Sequence, residues 1–232
     1  MIKSGIDQDA IVKMFSQATA QQGESLRKAV RDATVQALQG RELTLANIRS
    51  VLKSVAQATS AGAAQNPAPL ADVENLLGKA FDGMDAALLQ AVQANRKALQ
   101  QFIDQGVQLQ EKQMKNALAD VEKMEDALFT TMAKAAKTAG GQLQGPWEHV
   151  LQAMKAKGTD TGAQASSTAE ELMAQAQTAL REGRAGSLRA AKAMMDSYAA
   201  LVSGVLIGMS EGLQSAGSPA ATSTASKARP SK

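Results

Sequence analysis

The chain has 232 residues, 44% of them hydrophobic but only 3% aromatic, which excludes a thick aromatic-anchored globule and favours helices joined along narrow seams. Cysteine is absent, which excludes disulfides and thiolate metal sites. The formal charge of +3 is accounted for by Lys227, Arg229 and Lys232, all beyond the last acidic residue, Glu211, so the chain before its tail offers no net basic surface to a phosphate backbone.

Ala, Gln, Leu, Lys and Met favour helix, and runs of β-branched or aromatic residues are scarce, so the fold class is all-α. The expected architecture is a set of long amphipathic helices in an elongated bundle or coiled-coil-like assembly, with a disordered C-terminal tail. Residues 1–59 read as an N-terminal helical pair. The first helix spans about Asp7 to Gln39, loosened at Gly23 and ended by Gly40. The second begins at Thr44, whose hydroxyl suits an N-cap, and carries Leu45, Ile48, Leu52 and Val55 on one face. Residues 60–69, SAGAAQNPAP, are small and polar and contain two prolines, which predicts a linker.

Residues 70–139 read as one long central helix. Val73, Leu77, Phe81, Met84, Leu88, Val92, Leu99 and Ile103 recur at helical spacing and form a single apolar stripe for an apolar surface or a partner helix. The stripe follows an eleven-residue rhythm that stays nearly straight, while Met114, Leu118, Val121, Leu128, Met132 and Ala135 follow a seven-residue rhythm suited to a left-handed seam. Gly106 separates the two. An unbroken rod of roughly 100 Å is the expectation, with a hairpin folded back near Gly106 as the alternative. Glu125 interrupts the second seam. Exposure is the expectation there, whereas burial would specify register or a basic partner.

Residues 140–166 are expected to hold a short helix starting at Pro146, ended by Gly158, and plugged onto the central helix by Trp147. The C-terminal helix, residues 167–213, is expected to start at the Ser167/Glu170 capping-box spacing, with Thr168/Glu171 as a second register. Within it Gly204, Gly208 and Gly212 repeat at intervals of four and mark a helix-packing face. The uncharged run there, Ser197 to Ser210, is shorter than the ~20 residues that span a bilayer. Residues 214–232 read as a disordered tail.

No catalytic constellation is visible. His149 is the single histidine and has no metal-ligand spacing beside it; the acidic group Glu122, Glu125 and Asp126 fits a solvated face. No catalytic residue, cofactor, metal or small-molecule substrate is expected, nor an enzyme. No nucleic-acid partner is expected either. The stripe, with Gln90, Gln93, Gln100, Gln101, Gln105 and Gln108 along the same helix, fits two uses: a coat lying flat on an apolar surface, or a seam between helices of an oligomeric scaffold. Membrane interaction through the glycine repeat is a third. Met1 to Asp7 holds no apolar core of a signal peptide, which predicts a cytoplasmic protein.

The Ala/Gln/Lys-rich composition, the helix ENLLGKAFDGMDAALLQAVQANRKALQQFIDQGVQ, the lack of cysteine and the Ala/Ser/Thr/Pro/Lys tail resemble the phasins, which coat bacterial polyhydroxyalkanoate granules. The resemblance covers roughly Leu70 to Lys232. It implies a non-enzymatic, granule-associated coat that contacts an apolar granule or lipid surface and forms a homo-oligomer. On that reading, Leu88→Asp with Val92→Asp abolishes surface binding while leaving helix content largely intact.

Overall fold

The computed structural model describes residues 6–39, 43–104, 111–181, 205–207 and 209. Among them are seven α-helices and no strand: α1 (Gln8–Gln17), α2 (Gly23–Leu38), α3 (Leu45–Ala64), α4 (Leu70–Asp104), α5 (Glu111–Thr138), α6 (Gly141–Lys157) and α7 (Asp160–Arg181). The all-α expectation holds. The expected tail, 214–232, lies outside the described residues.

The N-terminal segment breaks earlier than Gly23. Asp7 caps α1 by accepting the Ala10 N–H at 2.9 Å, and α1 stops at Gln17 with Ala18 extended. The break follows from Asn66, whose Nδ2 donates to the Phe15 carbonyl at 2.7 Å and to the Ala18 carbonyl at 3.0 Å, taking acceptors that a continuing helix would use. A 3-10 turn (Ala20–Gln22) follows, and Gly23 opens α2.

Thr44 caps α3 as its spacing predicts, accepting the Asn47 N–H at 3.3 Å. The expected linker shrinks to residues 65–69, because α3 runs on to Ala64. Gly62 makes this extension useful: a Cβ there would lie 2.6 Å from the Phe15 Cβ and 2.8 Å from the Val12 carbonyl, so only glycine lets α1 pack this closely on α3.

The central segment is a hairpin and not a rod. Phe81 on α4 and Phe129 on α5 meet with ring centroids 5.6 Å apart, whereas in an unbroken helix their 48-residue separation would span roughly 72 Å. Asp85 and Glu125, one turn further along on each helix, likewise converge on the start of α7. Both pairs are centred on residue 105, so α5 lies folded back along α4; residues 105–110, which include Gly106, lie outside the described residues. The period of an apolar stripe is the same in a rod and in a folded-back helix, which is why periodicity alone favoured the simpler shape.

α6 and α7 form a broken rod parallel to α4. His149 Nδ1 lies 3.3 Å from Glu74 Oε2, Asp160 and Thr161 bind Asp85, and Arg96 pairs with Glu171 at 2.6 Å, so matched positions rise together on both strands of the pair. The interruption falls at Gly158, whose φ of +78° suits glycine. α6 begins at Gly141, five residues before the expected start, with Pro146 inside it and buried. Trp147 is a plug, but its hydrogen bond goes to α3 where the central helix was expected. It is fully buried, and its indole N–H donates 3.1 Å to Ser60 Oγ, which ties α6 to α3.

On another side of α4, α2 also runs parallel to it. Glu24 pairs with Lys79, and Gly83 faces Arg27, Val30 and Arg31. No helix among the described residues is long and apolar enough to cross a membrane.

Candidate functional site

The apolar stripe is the centre of the molecule's own core. Val73 is 3% exposed, Leu99 is 1% exposed, and Leu77, Phe81, Met84, Leu88 and Val92 are wholly buried. The Ile103 side chain lies outside the described residues, as do Gly204, Gly208 and Gly212. Next to those glycines, Val205 to Ile207 are helical, and Leu206 is fully buried in the same core. Among the described residues, the large hydrophobics left exposed are Met14 and Leu70. Leu88 and Val92 are therefore folding residues, and aspartate at both positions would unfold the bundle instead of sparing its helices.

Two of the covers over α4 differ in chemistry. α2 buries Leu26, Val30, Val35 and Leu38, and reaches α4 closely because Gly83 has no side chain; a Cβ there would lie 2.5 Å from the Arg27 carbonyl and 3.2 Å from the Val30 Cβ. α7 turns Thr161, Ala165, Thr168, Ala169 and Leu172 inward, a face with one large apolar side chain among those described. Gln175, further along this helix, has its Oε1 buried without a hydrogen-bond partner among the described residues.

The start of α7 is held from two other helices. Asp85 of α4 accepts the backbone N–H of Asp160 at 2.9 Å and of Thr161 at 3.2 Å, while Thr161 Oγ1 donates 2.9 Å to the Asp85 carbonyl. Burial pushes the Asp85 carboxyl above the usual aspartate range, although hydrogen bonds from Thr161 and the α7 backbone pull the other way. Glu125 of α5 accepts from Thr159 Oγ1, which itself accepts the Gly162 N–H at 3.0 Å. The carboxylate of Glu125 lies directly over Gly162, where a Cβ would come within 2.2 Å of it.

These bonds explain two departures from expectation. α7 begins at Asp160 and leaves Ser167 and Glu170 inside the helix, because its first N–H groups are satisfied by Thr159 and by a carboxylate 75 residues away. Glu125 is half-buried instead of exposed, and its role is to seat α7. His149 is exposed beside Glu74 as a surface pair. No group of three His, Asp or Glu side chains able to hold a metal occurs among the described residues.

The arrangement is that of a one-sided helical bundle: a continuous apolar face on a 35-residue helix, enclosed by an apolar seam and a polar one. The chain belongs to a family of unknown function, DUF6781, which matches its residues 1–215. No curated protein and no solved structure matches it.

Proposed function

We propose that the protein is a non-enzymatic, phasin-like coat for an apolar surface such as a polyhydroxyalkanoate granule, reached when the bundle opens and α4 lays its stripe on that surface. The observation that carries this reading is the stripe itself, seven side chains at 3% exposure or less along one face of a single helix. In the closed chain the stripe is sheltered by neighbouring helices. An apolar particle offers an alternative shelter, so opening exchanges one apolar cover for another and a surface shifts the balance in proportion to its differential affinity. α7, held mainly by hydrogen bonds, is the cover that leaves first, and baring the whole stripe then requires the surface to draw α2 off α4 as well. A homo-oligomer and a cytoplasmic, granule-associated location belong to the same proposal.

The test uses the absence of native cysteine. A Cβ at position 23 lies 3.1 Å from Lys79 Cγ, which places a cysteine pair at 23 and 79 within disulfide reach. In the Gly23→Cys, Lys79→Cys variant, the reduced chain is expected to co-sediment with polyester granules or neutral emulsion, as the unaltered chain does. The oxidised chain, with α2 locked onto α4, is expected to stay in the supernatant. Equal partition of both forms, or no partition of the unaltered chain, overturns the reading. The alternative, an oligomeric scaffold, predicts a concentration-independent oligomer indifferent to added particles.

A further inference from the structure

Six residues of α5 and Lys155 of α6 border an open groove of about 440 Å³ that the stripe does not line, a cavity open to solvent on one side. Its floor is apolar. Phe129 and Ala133 are half-buried there, and Phe129 is fixed from beneath by its tilted contact with Phe81. Above the floor stand Lys134 and Lys137 of α5 and Lys155 of α6, with the Lys155 ammonium 5.8 Å from the centre of the Phe129 ring. None of the three ammonium groups has a carboxylate within ion-pair distance among the described residues. Asp126 and Thr130 complete the rim, so the charge facing the cavity is two positive units net: three lysines against one aspartate.

A simpler account places lysines near helix C-termini because they complement the helix dipole, and it suits Lys137 and Lys155, which lie in the last turns of α5 and α6. It leaves unexplained why cations from both helices converge on one cavity with an aromatic floor. All three lysines are exposed, so their mutual repulsion is screened by water, but each of them attracts an anion that settles in the groove between them. The volume falls within the range of small-molecule sites, and the pairing of apolar floor with cationic rim is selective for a molecule that has both parts.

We infer that the α5–α6 cavity binds a small organic carboxylate with an apolar body, its acyl chain on Phe129 and Ala133 and its carboxylate among Lys134, Lys137 and Lys155. This site is independent of the coat reading, since it lies in the closed bundle and needs no opening.

Titration of the full chain with octanoate, inorganic phosphate and 1-octanol, followed calorimetrically, tests it. Octanoate is expected to bind saturably at one site, and phosphate and 1-octanol at least tenfold more weakly, since each supplies half of the recognition. Lys134→Ala with Lys155→Ala is expected to weaken octanoate at least tenfold, and Phe129→Leu several-fold, with helix content retained. Lys97→Ala, an exposed lysine on α4, is the control and should leave binding unchanged. Phosphate binding as tight as octanoate reduces the site to a cation cluster and overturns the inference. So does octanoate uptake that fails to saturate or ignores the lysine substitutions.

Discussion

α2 and α7 both lie parallel to α4, yet they are attached by different forces. Each of Leu26, Val30 and Leu38 on α2 is nearly or fully buried, and such side chains contribute about 1.5–3 kcal/mol apiece. α7 has Leu172 in that role and otherwise relies on hydrogen bonds, each of net worth about 0.5–1.5 kcal/mol, with a buried Gln175 acceptor set against them. The lesson is directional: the same central helix has one cover that is lost only with the whole fold and another that can leave while the core persists.

The largest blow to both covers should come from Phe81→Ala, which empties the centre of the α4–α5 hairpin. A loss of about 3–5 kcal/mol is expected, read as a shift of a single urea transition. If only part of the helical signal moved, the two covers would not share one core. A smaller effect, about 1–3 kcal/mol, is expected from Gly83→Ala, because the added methyl meets the Arg27 carbonyl and forces α2 away from α4. Hydrogen exchange should then accelerate in α2 and leave α7 unchanged; faster exchange in α7 instead would erase the distinction between the seams.

The smallest effect sharpens the comparison most. Asp85→Asn keeps one acceptor for the start of α7 but turns an amide N–H₂ toward the second backbone donor, and should cost about 1–2 kcal/mol. Its signature is faster exchange confined to α7. The pH dependence has a definite sign. Because the Asp85 carboxyl is raised in the folded chain, its favourable contribution is fully present below the ordinary aspartate value of 3.8 and is lost as pH rises through the higher folded value. Asp160 beside it adds to the rise, and Glu125 faces the same turn from α5. The stability advantage of the native chain over Asp85→Asn should therefore shrink from acid toward neutral pH. An advantage that grows over that range would mean that the capping bonds outweigh burial.

Much of this was legible in the residues. Spacing of three and four located the stripe on α4, Thr44 announced α3, and Trp147 stood out as a plug. What escaped was whatever depends on residues distant in sequence. The stripe's period said that something must cover it but not that the chain covers it itself. The start of α7 was half hidden: Thr159 beside it is a local cap, but Asp85, which takes the first two N–H groups, is far off in sequence, as is Asn66, which takes the carbonyls at the early end of α1. The α5–α6 cavity was invisible for a similar reason: Lys134, Lys137 and Lys155 belong to different helices and converge only after the chain turns at Gly140.

The seat of Glu125 over Gly162 has a consequence for how this chain can vary. With no room between the carboxylate and the α7 backbone, even a methyl at 162 evicts the acid, and α7 then loses the Thr159 contact as well. The two sites are thus expected to change in concert across relatives, alanine or larger at the position of Gly162 appearing with a residue shorter than glutamate at that of Glu125, so that a paired substitution pattern becomes a fingerprint of this junction.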